Sequence, residues 1–225
     1  MAATVNTIVL DLGTTAIKAA VFSDTQRLDK IFSLPAPITI DQGFYICDAM
    51  AYLAIVEELL EKCLQHGPEQ PRLGLCYQRS SFLLWNSENG LPVTPLISWQ
   101  DNRGEASCRD LQAYHAQIRE LTGLPLTAYY FAPKVRAMLQ QQPELREGLL
   151  NKQLRIGTLD SFLIWHWTAG THFLTDASMA ARTQLMDINS GAWSKTLADI
   201  FNIPIQVLAD IYPSNSFNLP LNSQP

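Results

Sequence analysis

Two stretches of this chain place chemistry-bearing side chains at spacings that a phosphorylated or polyhydroxylated ligand would need. The first is Leu-Asp-Leu-Gly-Thr-Thr-Ala-Ile-Lys, residues 10–18. Here an apolar strand runs into a glycine and two threonines. Gly13 is free to take a positive φ. Consecutive amides in such a turn form an anion-binding concavity, and Thr14 and Thr15 add hydroxyl donors. Lys18 adds a positive charge if it projects toward the turn. Asp11 would repel a phosphate, but a hydrated Mg²⁺ between them resolves the conflict, because Mg²⁺ keeps several waters and bridges carboxylate to phosphate oxygens. This is not a Walker loop, since β-compatible residues rather than a helix follow the turn. The same residues also read as a plain hairpin in which Asp11 bonds the turn and Gly13 is its left-handed residue.

The second stretch, residues 74–103, presents Gln78-Arg79 at the end of one strand-like run and Trp99-Gln100-Asp101-Asn102-Arg103 at the end of another. Amides, a fixed cation and a carboxylate bind hydroxyls in pairs, while an indole packs on C–H faces. Strand ends are also the usual ligand positions in open α/β sheets. The alternative is a surface ion-pair set around a core tryptophan.

The elements that must position these groups follow from patterning. Residues 7–11 and 16–22 read as strands joined by the turn, and residues 31–40, broken by Pro35 and Pro37, as an edge or loop. Asp48 is placed to cap a helix whose apolar residues Leu53, Val56, Leu60 and Leu64 recur at helical spacing, with Gly67-Pro68 ending it. Residues 73–77 and 81–85 read as strands, residues 86–90 as a turn, and a further strand leads to Trp99. The pattern then predicts one polar helix from about 104 to 120 and a helix opening at Pro133. A strand is expected over 156–159, with Asp160 capping a helix over 161–167. Residues 183–188 read as extended and 193–201 as helical. Strands in hairpins followed by alternating helices and strands predict an α/β fold, a mixed sheet with helices on its faces and no second domain.

The chain has 225 residues, 47% of them apolar and 16% charged, with a net charge of −5. That balance suits a packed core and argues against nucleic acid or an acidic membrane as partner. No apolar run reaches the ~20 residues of a membrane span. The first residues lack the charged and apolar regions of a signal peptide. Four scattered cysteines without CxxC spacing read as reduced thiols of a cytoplasmic protein. His166 and His172 lack ligand-like neighbours, so no metal site is expected there. The polar, proline-broken residues 213–225 read as a loose tail.

Taken together the two stretches resemble the FGGY carbohydrate kinases, the group containing glycerol kinase, xylulokinase and gluconokinase, within the actin/hexokinase/Hsp70-like ATPase superfamily with its ribonuclease H-like fold. Asp11-Leu-Gly-Thr-Thr15 through Lys18 is similar to the family's first phosphate loop, and residues 74–103 to its substrate segment. Residues 122–139 are similar to the segment carrying a substrate-contacting tyrosine, by position Tyr129. Residues 156–170 and 175–193 resemble the later half of the family's N-terminal domain. The resemblance implies ATP-dependent phosphorylation of a sugar or polyol hydroxyl, with ATP and Mg²⁺ as cofactors. It sets Asp11, Gly13, Thr14, Thr15 and Lys18 at the nucleotide phosphates, with Asp11 on Mg²⁺ through water. It sets Gln78, Arg79, Trp99, Asp101 and Tyr129 around the substrate, with Arg103 bracing Asp101. Asp160 and Asp176 fall in matching motifs, but as a cap and a turn residue they read as structural.

Two departures matter. Glycerol kinases carry a glutamate after Gln-Arg, where this chain has Ser80. A shorter, uncharged side chain loses that contact or remakes it through water, which favours a bulkier polyol or ketose. The family's catalytic aspartate and second ATPase lobe are expected beyond residue 225, so residues 1–212 read as the N-terminal lobe and no catalytic base is assigned. The expectation is little or no kinase activity from these residues alone, with a C-terminal lobe or partner chain completing the enzyme and self-association through an exposed apolar face. A catalytically dead sugar-binding or structural module is the alternative.

Overall fold

Along residues 7–12 every second side chain is buried, the period of a strand with one face on a core. This is β1 (Thr7–Leu12) in the computed structural model, which describes residues 7–23, 28–41, 43–66, 71–216 and 219. The chain divides into two compact units, Met1–Thr39 with Cys47–Gln78 and Ile40–Ile46 with Arg79–Pro225.

In the first unit β1 is followed by β2 (Ala16–Phe22) and β3 (Leu28–Pro35). The chain then forms β4 (Ile38–Asp41) and β5 (Phe44–Cys47), whose residues 40–46 belong to the second unit, and returns to the first unit with α1 (Ala49–His66) and β6 (Arg72–Tyr77). The sheet order is β3-β2-β1-β6. β1 and β2 are antiparallel with Asp11 opposite Lys18, and β6 is parallel to β1 after the α1 crossover. Ile8, Leu10, Leu12, Ile17, Ala19 and Val21 form the buried face. Tyr52, Leu53, Val56, Leu59 and Cys63 are the buried stripe of α1, which packs on β1, β2 and β3. Asp48 caps α1 as expected, its Oδ1 accepting from the amides of Met50 (2.9 Å) and Ala51 (3.0 Å). The Gly67-Pro68 stop lies outside the described residues. β3 is the edge strand expected around Pro35, where a missing N–H leaves no central ladder unfilled.

The second unit holds β7 (Phe82–Asn86), β8 (Leu96–Ile97), α2 (Glu105–Asp110), α3 (His115–Thr122), α4 (Phe131–Gln141) and α5 (Pro143–Leu150). It continues with β9 (Leu154–Thr158), α6 (Leu159–Trp167), β10 (Leu174–Asp176) and α7 (Ala177–Ala180). It closes with β11 (Met186–Asp187), β12 (Ala192–Trp193), α8 (Lys195–Phe201) and β13 (Asp210–Tyr212). The larger sheet runs β4-β5-β8-β7-β9, and short pairs join β10 to β13 and β11 to β12. Phe82, Ile97, Phe131, Val135, Ile156 and Phe201 belong to one apolar core, within which Phe82 and Phe131 meet edge to face at 5.0 Å. The turn at residues 86–90 forms as expected. Asn86 Oδ1 accepts from two amides of the loop, and Gly90 takes φ +72°.

Several elements differ from their sequence reading. The single helix expected over 104–120 is α2, a 3₁₀ turn at Gln112–Tyr114, and α3. Gln112, Ala113 and Tyr114 bury nothing, so no packing enforces α geometry there and the chain tightens. Pro133 is the third residue of α4, not the first, where its missing N–H is still one of the unpaired first-turn donors. α5 was not anticipated, although Pro143 opens it. Asp160 does not cap α6. It sits inside the first turn, after Thr158 at the cap. Only Met186–Asp187 of residues 183–188 is strand, and Trp193 lies in β12, with Ser194 capping α8. Pro213 to Ser216 closes a turn, and the rest of the expected tail lies outside the described residues apart from Leu219. Among the described residues no helix is long and apolar enough to cross a membrane.

Candidate functional site

In the first unit β1 and β2 are drawn together by their buried faces, which leaves the intervening residues 13–15 to make a tight reversal at the strand ends. Gly13 is required there, but not for the reason its sequence suggests. Its φ is not positive. A Cβ would instead stand 2.7 Å from the carbonyl oxygen of Ala16, so only glycine permits the close approach. The Gly13 carbonyl accepts from the Tyr52 hydroxyl at 3.0 Å and from the Gln78 side-chain amide at 3.4 Å. Tyr52 is buried on α1, and desolvation holds its phenol protonated well above the usual range. Gln78 thus reaches the phosphate-type turn, a contact its place in the second motif did not suggest. Strand alternation puts Asp11 and Lys18 on the exposed face as a cross-strand pair beside this turn, and Thr15 is exposed with them.

An exposed carboxylate, hydroxyls and amides at a strand end fit a hydrated cation beside a phosphate, a site that needs only one or two protein carboxylates. Among the described residues no group of three or more His, Cys, Asp or Glu side chains forms a metal cage.

The division between the units falls between Gln78 and Arg79. In the second unit, the segment after β8 brings Trp99, Asp101 and Arg103 together through its own hydrogen bonds. Asp101 is 1% exposed. Its carboxylate accepts from Arg103 Nε (2.8 Å), Arg103 Nη2 (3.0 Å), the Arg103 amide (3.0 Å) and the Tyr45 amide (3.1 Å). This is a bidentate pair with its oxygens committed. Arg103 braces Asp101, as expected, and also lies over the Phe44 ring at 4.8 Å. Trp99 is half-buried, its ring centroid 5.0 Å from that of Tyr129. Tyr129 is 37% exposed and packs on Tyr130. Arg182 sits over both tyrosines, 5.8 and 5.0 Å from their ring centroids. Arg79 is exposed at the start of this unit.

Three side chains of this cluster escaped sequence reasoning. Lys134 is buried and donates to the carbonyls of Ser98 (3.2 Å), Trp99 (3.3 Å) and Tyr129 (2.9 Å). Its signal was present: it stands on the apolar stripe of α4, between Phe131 and Met138. Ser81 accepts from the Trp99 amide at 3.0 Å. Arg182 carried no sequence signal, because its place depends on contacts between distant segments. Asp176 caps α7, its Oδ1 accepting from the Met179 amide. Asp160 accepts from Thr158 Oγ1 (2.5 Å), Thr175 Oγ1 (2.8 Å) and the Asp176 amide (3.3 Å). Burial pushes its carboxyl up to about 6.

With this geometry established, the model of the FGGY family of carbohydrate kinases, N-terminal domain, matches residues 6–223. The chain belongs to the FGGY family of carbohydrate kinases. It is 36% identical over 216 residues to an apulose kinase of Pectobacterium atrosepticum, covering 94% of this chain and 44% of that protein. It is 37% identical over 170 residues to a glycerol kinase of Mycoplasma genitalium, covering 74% of this chain and 34% of the relative. The crystal structure of Plasmodium falciparum glycerol kinase with ADP superposes with a TM-score of 0.80 at 26% identity, over 91% of this chain and 43% of that one. The chain thus spans less than half the length of the relatives it matches.

Within this FGGY chain, Ser80 has φ +67° and is fully buried, and its hydroxyl donates to the Arg182 carbonyl at 2.9 Å. The position expected to lose a glycerol contact therefore spends its hydroxyl on the backbone.

Proposed function

We propose that these residues are the N-terminal, sugar-binding and phosphate-contacting lobe of an ATP-dependent carbohydrate kinase. The observation that carries the reading is the half-exposed Trp99–Tyr129 pair followed by the locked Asp101–Arg103 pair. An aromatic wall offers apolar faces to sugar C–H groups while charged side chains offer hydroxyl partners. In this reading Arg79, Trp99, Asp101, Arg103 and Tyr129 bind the sugar. Asp11, Gly13, Thr14, Thr15 and Lys18 face the ATP phosphates. Gln78, given its contact with Gly13, holds the turn as well as belonging to the substrate motif.

Asp11 is the residue that would hold Mg²⁺ through water, and the bound ion would offset charge on the phosphates. Thr14 and Thr15 would donate to phosphate oxygens, and Lys18, across the ladder from Asp11, would add a fixed positive charge. A C-terminal ATPase lobe supplying the base, and a cytoplasmic setting, belong to the same proposal. The names of the relatives support the sugar-kinase class, and Ser80 supports a substrate other than glycerol. The rival, a sugar-binding module without catalysis, keeps the same sugar contacts but never turns over ATP.

Calorimetry of the 225-residue protein with glycerol, apulose, xylulose and gluconate tests the sugar site. At least one ketose or sugar acid is expected to bind more tightly than glycerol. Trp99→Ala should weaken that binding by about 3- to 10-fold, the value of one aromatic stacking contact. Folded protein that binds none of the four would sink the reading.

A further inference from the structure

We infer that Lys134 is a positioning residue of the sugar site: its buried ammonium ties the carbonyls of Ser98, Trp99 and Tyr129 together and so sets the Trp99–Tyr129 wall. The purpose of this tie rests on the sugar-site reading above, but its geometry does not.

Lys134 is completely buried. A buried ammonium ordinarily needs a carboxylate, yet Asp101 already serves Arg103 and the Tyr45 amide. Lys134 is instead met by three carbonyl oxygens, one for each of its donors. Those carbonyls come from two segments some thirty residues apart in sequence, the two that carry the tilted Trp99–Tyr129 ring pair. The reach is built in. A Cβ on Gly104 would stand 2.9 Å from Pro133 and 3.0 Å from the Lys134 amide, so glycine lets the first turn of α4 close onto the Trp99 segment. On its other side the Trp99 amide donates to Ser81. The Trp99 peptide is therefore held at both ends, leaving the indole only its own torsions.

A packing role alone does not explain a lysine here. An apolar side chain of similar volume would fill the space without desolvating a charge. Burial pulls Lys134 down to about 7, with Asp101 favouring its charge and Arg103 opposing it. Of the other ionisable groups on helices packed against α4, Cys108 on α2 is pushed up to about 11 and stays neutral. Glu105, Arg109 and Asp110 on α2, Glu144 and Glu147 on α5, and Lys195 and Asp199 on α8 are exposed, and Arg146 on α5 donates to Asn202. The fold accepts a costly charge where it links the two sides of an aromatic wall.

The test reads Trp99 without any ligand, so it stands apart from the sugar-site test. The Trp99 signal is the difference between wild-type and Trp99→Phe protein in acrylamide quenching and near-ultraviolet circular dichroism. In Lys134→Met the Trp99 quenching constant should rise about twofold and the near-ultraviolet signal of the pair should fall, with Lys134→Arg restoring at least half of both. In wild-type protein the same signal should titrate with a midpoint near pH 7, and the titration should vanish in Lys134→Met. Should Lys134→Met fail to fold, the wild-type titration and the arginine variant decide. A folded Lys134→Met with unchanged Trp99 signals, or a wild-type signal flat from pH 6 to 9, would overturn the inference.

Discussion

At Asp160 a carboxylate lies wholly out of water, its oxygens accepting from Thr158, Thr175 and the amides of Ser161 and Asp176. Desolvation outweighs those bonds and the nearby Asp176 adds repulsion, so the folded-state value rises from 3.8 to about 6. Between these values the folded form binds more protons than the unfolded, so this group favours folding as the pH falls through 6 and opposes it above. Asp160→Asn should therefore erase a stabilisation that wild-type protein gains between pH 7 and 5, seen as a changed difference in melting temperature across that range. Asp160→Ala, which leaves several buried donors without an acceptor, should cost about 3 kcal/mol in urea denaturation. The sequence offered an acidic residue at a helix start and hence a cap. The burial that decides its role comes from Thr175 and Asp176, which the chain brings back only after α6.

Among elements, the β1–β2 hairpin and α1 were legible because each carries its own period and its own punctuation. Alternation at residues 7–12 and 16–22, and Asp48 before an apolar stripe, need no tertiary information. The hinge of the hairpin was legible only in part. Glycine was expected at residue 13 for a positive φ, whereas its place is fixed by contact with the Ala16 carbonyl, a distance no local pattern encodes. Gly13→Ala should accordingly force the turn open and cost about 1–3 kcal/mol, the range for overpacking. Urea denaturation checks the stability loss, and a matching loss of ATP affinity in the nucleotide-binding form of the protein would tie the turn to phosphate. Helices were less legible where packing sets their limits. The polar helix expected from about 104 to 120 breaks because its middle faces solvent, and the place of Lys134 on the apolar stripe gains its meaning only when α4 is seen packed on α2.

At the scale of the molecule, two compact units each carry a sheet, and the residues of the two motifs fall on both sides of the division at Gln78 and Arg79. The family was legible because its motifs occur in order along the chain, not because any one was decisive. Phosphoryl transfer depends on positioning and electrostatic stabilisation from all sides of the reacting group, and these residues span less than half of the matched relatives. Purified 225-residue protein should therefore show no steady ATP-dependent phosphorylation of any sugar it binds, in a coupled ADP-release assay. Sustained turnover would refute that expectation. The Ser80–Arg182 bond carries a consequence for how such a site changes over time. Ser80 holds the backbone of the residue whose guanidinium lies over Tyr129 and Tyr130. A substitution at 80 would remove the bond to the Arg182 carbonyl, and with it one restraint on the guanidinium over these rings. If these rings bind sugar as proposed, substrate preference at position 80 and the geometry of the rings would be epistatic, and a lineage changing its sugar through position 80 would have to re-anchor Arg182 along the way.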